Sequence, residues 1–198
     1  MKPSKYKKDQ FHQKAQKNGY RARSAYKLIQ LDEHYHFLDG ASSVLDLGCA
    51  PGSWLQVLKE RLNDDAIIVG VDHTRVAPIE GVVIIKSDVK DRNLPDKLKE
   101  TFPDGIDLVL SDMAPNTSGN KSLDGARSSD LVRRAVQVSL PYLNDGAHFV
   151  GKVFQNPEMY KIKRDLKRIF KKVRITKPKA SRKSNRELYI VAKSKKKA

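Results

Sequence analysis

Short apolar runs recur along this chain with little polar alternation, and most are followed by an amphipathic stretch. The runs cover residues 43–47, 66–71, 82–85, 106–111 and 147–154. A strand that is apolar on both faces needs cover on both, so the pattern implies a parallel sheet between two helical layers. Helices are predicted over 21–36, 53–62, 94–102, 129–143 and 159–170. In the second of these, Trp54, Leu55, Leu58 and Leu62 fall on one face. Two last strands, 172–175 and 187–192, are joined by a short segment with no apolar period, which makes them antiparallel. The expected fold class is α/β: a doubly wound, mostly parallel sheet with an antiparallel C-terminal hairpin at one edge.

Ligands of such sheets sit beyond the carboxyl ends of the strands. The first strand here runs into Asp46-Leu47-Gly48-Cys49-Ala50-Pro51-Gly52, just before a helix. A dinucleotide loop would read G-x-G-x-x-G, to seat a pyrophosphate on the helix N-terminus. Ala50 replaces the second glycine of that pattern, and Pro51 follows it. No Gly-Lys-Ser/Thr closes the loop, so it is not a P-loop either. Its glycines still let a ligand approach the backbone. Acids close the next strands. Asp72 ends the second and can accept hydrogen bonds from ribose hydroxyls; Asp88 follows the third and can accept from an adenine amino group. Taken singly, each is better explained as a turn former or cap. Trp54 either lines the pocket or fills the core.

The distribution of charge points to a partner. The net charge is +16, but residues 28–158 carry 13 Lys/Arg against 20 Asp/Glu. Residues 1–27 carry nine Lys/Arg against one Asp, and residues 159–198 carry 17 against two acids. Basic ends on an acidic body suit a polyanion, because each neutralised phosphate releases a counterion. Nucleic acid fits better than a solvated surface, or than a membrane, for which neither end has an apolar face. No apolar run reaches the roughly 18 residues that span a bilayer, and none follows the basic N-terminus as in a secretory signal. The single Cys49 excludes an internal disulfide framework, and His34 and His36 lack metal-ligand spacing. A cytoplasmic monomer with no metal and no membrane partner is expected.

Asp112-Met113-Ala114-Pro115 follows the fourth strand. It lacks the paired prolines and aromatic residue with which base-amino methyltransferases grip a planar base. Lys152 stands among Phe149, Val150, Gly151, Val153 and Phe154 in a strand that should be buried, where lysines are rare and usually paired.

These segments together resemble the FtsJ family of RNA 2′-O-ribose methyltransferases, in particular the compact form acting on large-subunit ribosomal RNA. The likeness runs from Tyr20 to Val191. It is carried by Arg23-Ser24-Ala25-Tyr26-Lys27-Leu28, Asp46 to Trp54, Asp72, Asp88-Val89, Asp112 to Asn116, Gly151-Lys152-Val153-Phe154 and Ser181 to Glu187. The resemblance implies a Rossmann-like fold, S-adenosyl-L-methionine as cofactor, and RNA as partner, with a uridine of large-subunit ribosomal RNA as acceptor. It implies a catalytic set of Lys27, Asp112, Lys152 and Glu187, and cofactor contacts at Gly52, Trp54, Asp72, Asp88 and Asp112. The methyltransferase domain is expected over 21–193, with a basic arm at 1–20, anchored by Phe11 and Tyr20, and a basic tail at 194–198.

The chemistry gives these residue types a rationale. A ribose hydroxyl is a weak acid and a poor nucleophile. It has to be aligned with a sulfonium methyl and lose its proton as the bond forms. Lys152 would take that proton and Asp112 would orient Lys152 and the donor. Lys27 would hold the acceptor hydroxyl or a neighbouring phosphate, and Glu187 would position a lysine. An ammonium cannot accept a proton, so Lys152 has to be an amine part of the time. Burial, Lys27 and the sulfonium favour the amine, and Asp112 opposes it.

Each residue also has a plainer reading. Lys27 can be a solvated or phosphate-bound member of a basic helix, Lys152 half of a core salt bridge, and Glu187 a partner of Arg186. Two other functions suit the same chain: methylation of transfer RNA or an mRNA cap, and a non-catalytic RNA-binding assembly factor. A comparison of acceptors separates the first, and saturable cofactor binding the second.

Overall fold

The computed structural model describes residues 10–182 and 184–197. Residues 1–9 of the expected arm, Lys183 of the carrying motif and Ala198 of the expected tail lie outside them. Five strands run parallel: β1 (Ser43–Leu47), β2 (Ile67–Asp72), β3 (Val82–Lys86), β4 (Ile106–Ser111) and β5 (Leu143–Phe154). The last strand, β7 (Glu187–Lys195), pairs antiparallel with β5 on one side and with β6 (Phe170–Thr176) on the other. The order is therefore β3-β2-β1-β4-β5-β7-β6. The expected hairpin is present, but its second strand inserts between β5 and β6 and leaves β6 at the edge.

The two-residue period of the strands divides their side chains between two cores. Leu45, Leu47, Val69, Val71 and Val109 cluster with residues of α4 (Leu94–Thr101), α5 (Lys121–Ser139) and α6 (Glu158–Ile169). Val44, Ile68, Leu108 and Leu110 cluster with α2 (Ala25–Tyr35) and α3 (Ser53–Arg61). The clusters explain why β1, β2, β4, β5 and β7 lack polar alternation, since each supplies buried residues to both sides; β3 contributes only partly buried residues, and its Val83 is exposed. Fully buried leucines such as Leu45 and Leu55 contribute about 1.5–3 kcal/mol each. No described helix is long and apolar enough to cross a membrane.

The sequence expectations differ from the structure at element ends. Residues 10–17, expected as arm, form the helix α1 (Gln10–Lys17). It docks through Ala15 onto Tyr26 and Ala180, with Phe11 and Tyr20 packed alongside. The helix expected from Ser129 begins at Lys121, where the Asn120 side chain accepts from the backbone N–H of Ser122 and Leu123. Its first turns carry an exposed Leu123 and show little apolar period. The fifth strand begins at Leu143 rather than Ala147, running through the turn-like Asn144-Asp145-Gly146. β7 continues through Ser194 and Lys195, two residues expected in the tail.

Candidate active site

The strand order reverses direction from β1, with β2 on one side and β4 on the other. A cavity of about 360 Å³ opens at that point, beyond the carboxyl ends of the strands. Gly48 and Ala50 line it from the loop after β1, Asp72 from the end of β2, Asp88 from the turn after β3, and Asp112 from the end of β4. Gly48 has φ +77°, and a Cβ on it would lie 2.5 Å from Met113 Cγ. The loop can pass this close to the β4 turn only with glycine there.

The acids around the cavity are held in different ways. Asp72 is buried and ties the loop down: its carboxylate accepts from Ala50 N at 2.9 Å and Thr74 N at 2.7 Å. Asp88 is exposed and accepts from Lys90 N at 2.8 Å, so it also closes its own turn. Asp46, in β1 behind the loop, is fully buried, and neither carboxyl oxygen has a hydrogen-bond partner among the described residues. Burial pushes its pKa well above the usual carboxylate range, and the charges of Asp112 and Asp72 add to the shift.

Beside Asp112 the cavity meets two ion pairs. Lys152, only 6% exposed in its side chain, lies 3.2 Å from Asp112 Oδ1. The structure therefore places the lysine where both the catalytic and the salt-bridge reading need it. Lys27 Nζ donates to Glu187 Oε2 at 2.9 Å, with both side chains largely buried. Tyr189 links the pairs. It faces Lys152 across the β5–β7 ladder, its hydroxyl donates to Asp112 Oδ1 at 2.6 Å, and Lys27 Nζ sits 5.9 Å over its ring. Lys27 and Glu187 also line a hollow of about 150 Å³ with Arg23, Arg182 and Asn185. The four residues named from the sequence thus meet at one place, with the 360 Å³ cavity on Asp112's side and a basic-rimmed hollow on that of Lys27.

Two sequence candidates stand back from the cavity. Trp54 is 2% exposed; its indole N–H donates to Ser24 O at 2.8 Å and its ring lies 6.0 Å from that of Tyr189. Gly52, with φ +103°, caps α3 and faces Arg21, whose Nη1 would lie 2.6 Å from an added Cβ. Both support the loop from behind.

Two residues at the site, Tyr189 and Arg21, were not singled out from the sequence, and Asp46 stood there as the head of the loop motif without a role of its own. Tyr189 looks like core, although its i, i+2 spacing from Glu187 puts the two on one strand face. Asp46 carries a signal, being the one charge in the apolar run 43–47. Arg21 reads as the first residue of the predicted helix 21–36, one more charge of the basic N-terminal end. Its guanidinium donates to Pro51 O at 3.1 Å, Ala77 O at 2.7 Å and Pro78 O at 2.9 Å, clamping the first loop to the segment after β2. Among the described residues, no group of three or more His, Cys, Asp or Glu side chains could hold a metal ion.

Known proteins resemble this chain in sequence and fold. The family model described as FtsJ-like methyltransferase matches residues 20–195. The ribosomal RNA large subunit methyltransferase E of Natronomonas pharaonis is 42% identical over 94% of this chain and 73% of its own length. That of Syntrophobacter fumaroxidans is 42% identical over 93% of this chain and 94% of its own length. Among solved structures, a ribosomal RNA methyltransferase of Plasmodium falciparum is similar with a TM-score of 0.81 and 37% identity, covering 89% of this chain and 98% of that one.

Proposed function

Because the chain belongs to the FtsJ-like methyltransferase family, we propose that it methylates a ribose 2′-hydroxyl of RNA. In this reading S-adenosyl-L-methionine is the donor and a uridine of large-subunit ribosomal RNA is the acceptor, in the cytoplasm. The observation that carries it is the buried Lys152 Nζ, 3.2 Å from Asp112, which itself lines the cavity. The acceptor RNA is inferred from the names of the relatives.

The residues around the cavity suit that donor. Asp46 lies buried behind the loop that lines the cavity, where a cationic donor in front of the loop would lower the cost of its unpartnered oxygens. Gly48 keeps the floor clear of a side chain. Asp72 and Asp88 would receive the ribose and adenine, and Asp112 the reactive end. When bound, S-adenosyl-L-methionine supplies a sulfonium methyl open to displacement by an oxygen.

The chain's own residues align the acceptor and take its proton. Lys152, as the amine, accepts the proton of the 2′-hydroxyl while the oxygen bonds to carbon. Asp112 holds Lys152 at the mouth of the cavity, and Tyr189 holds Asp112. Lys27 donates to the acceptor hydroxyl or to an adjacent phosphate, and Glu187 keeps Lys27 in place. Alignment of the three reacting centres supplies much of the rate. The β4 turn, without paired prolines or an aromatic residue, has no grip for a base amino group.

The test is methyl transfer from labelled donor to large ribosomal subunits, naked ribosomal RNA, transfer RNA and capped RNA, followed by digestion to nucleosides. Label on a ribose of large-subunit RNA is expected. Label on a base, or none in RNA, rejects the reaction, and label confined to transfer RNA or capped RNA rejects the acceptor. Lys152→Ala should abolish transfer and retain donor binding.

A further inference from the structure

A strongly basic surface lies outside this site. Residues 158–179 carry ten Lys/Arg against Glu158 and Asp165. α6 buries Met159, Ile162 and Leu166 against the sheet. With 3.6 residues per turn, that sends Tyr160, Arg164, Lys167 and Arg168 to its outer stripe, and all four are exposed. Lys161 borders the stripe and is held 3.5 Å from Glu158. Among the described residues, Arg164, Lys167 and Arg168 form no ion pair. The edge strand β6 continues the surface with the exposed Lys171, Lys172 and Arg174.

Lysines on an edge strand discourage pairing with another chain, which accounts for part of the charge on β6. It does not account for α6, which has no edge to protect. Like charges one turn apart cost a helix a few tenths of a kcal/mol per pair, so this stripe works against the helix that carries it. Tyr160 is a second anomaly: its ring is 64% exposed, one turn from the Arg164 guanidinium. An aromatic ring beside arginine is a stacking platform for an unpaired base. The stripe also starts at the right place. β5 ends at Phe154, which pairs with Glu187, and α6 begins four residues later at Glu158. From there the helix runs about 18 Å toward the far end of the sheet.

We infer that the outer face of α6, continued by β6, is a second RNA-binding surface that holds the phosphate backbone of a segment remote from the reacting ribose. The inference rests on RNA being the acceptor, as proposed above. Backbone contacts carry no sequence information, so this surface adds affinity and orientation and leaves the choice of nucleotide to the active site.

The test compares the full-length protein with the variant Lys161→Gln/Arg164→Gln/Lys167→Gln/Arg168→Gln. The probes are a hairpin of about 40 nucleotides from large-subunit ribosomal RNA and a hexauridylate. S-adenosylhomocysteine titration and thermal melting report on the fold of the variant. The expected result is at least a tenfold rise in Kd for the hairpin at physiological salt. The slope of log K against log salt should fall by about three, at roughly 0.7–0.9 per lost phosphate contact. Hexauridylate affinity, and turnover at saturating ribosomal subunits, should not change. Tyr160→Ala should raise the hairpin Kd about fivefold or more with the salt slope unchanged. An unchanged hairpin Kd and slope in the fourfold variant, or equal weakening of both probes, overturns the surface and leaves the methylation reading standing. A wild-type protein that binds neither RNA overturns the surface, while the methylation reading stands or falls on transfer to ribosomal subunits.

Discussion

The Tyr189 hydroxyl donates to Asp112 Oδ1 at 2.6 Å, the same oxygen that faces Lys152 Nζ at 3.2 Å. Tyr189 is fully buried, and burial followed by the charge of Asp112 raises its pKa well above that of a free phenol. The hydroxyl is therefore a permanent donor, and it fixes the carboxylate that positions the lysine. A hydrogen bond to a charged group is worth about 1.5–3 kcal/mol. Tyr189→Phe keeps the ring packing against Trp54 and removes only this bond. Single-turnover methyl transfer should slow by roughly tenfold to a hundredfold, with donor affinity unchanged within about twofold. Unaltered transfer would mean that Lys152 alone holds Asp112.

Arg21 spends its guanidinium on three backbone carbonyls, those of Pro51, Ala77 and Pro78. Its backbone N–H donates to Gln56 Oε1 at 2.8 Å, which ties the clamp to α3. A side chain so engaged shapes the donor cavity from outside. Arg21→Ala should weaken S-adenosylhomocysteine binding on the order of tenfold, the equivalent of one lost charged hydrogen bond. Arg21→Lys should recover little of it, because an ammonium cannot fork across three acceptors. Calorimetric titration reads this directly. Weakened RNA binding with normal donor affinity would instead make Arg21 a phosphate contact.

How far the chain could be read depended on which physical term dominated at each position. Burial dominates the sheet, so Leu45, Val69 and Val109 announce it. Steric necessity dominates the loop, so Gly48 and Gly52 are conspicuous. Lys152 stands out because a charge inside an apolar run has to be explained. The start of α5 escaped because a single side chain, Asn120, sets it by capping while the first turns remain exposed. The insertion of β7 between β5 and β6 follows from long-range pairing, such as Val150 with Val191, that no local pattern encodes. Tyr189 escaped for another reason: its ring satisfies the core and hides the hydroxyl that serves the site. Arg21 was hidden by its charge, which resembles that of any phosphate ligand in the basic stretch 1–27.

Asp46 predicts a pH dependence. Burial, then Asp112 and Asp72, raise its pKa in the folded protein well above the ordinary 3.8. Above that ordinary value the unfolded chain has lost the proton that the folded chain still holds. The folded state thus binds more protons, and this group makes stability fall as pH rises from about 4 toward its folded pKa. Asp46→Asn abolishes the titration. The variant's stability relative to wild type should increase as pH rises from 4 toward 7, as measured by urea unfolding across that range. A flat difference would show that Asp46 is not desolvated.

Lys27 and Glu187 make the remaining pair, at 2.9 Å, with side chains 10% and 17% exposed. Removal of one partner strands the other charge in a poorly solvated place, at a cost of up to 3–5 kcal/mol for a fully buried pair and about 1–2 kcal/mol at this hollow's edge. Removal of both leaves no stranded charge. The double variant Lys27→Met/Glu187→Gln should therefore be more stable than the sum of the two single effects predicts, with a coupling of at least about 1 kcal/mol. Activity should not follow stability. Lys27→Met removes the donor offered to the acceptor hydroxyl, so methyl transfer should be lost in the single variant and stay lost in the double. Glu187→Gln leaves an acceptor for Lys27 and should slow transfer about tenfold. If the double variant regains both stability and transfer, the pair only stiffens the join between α2 and β7, and the acceptor is held by other groups.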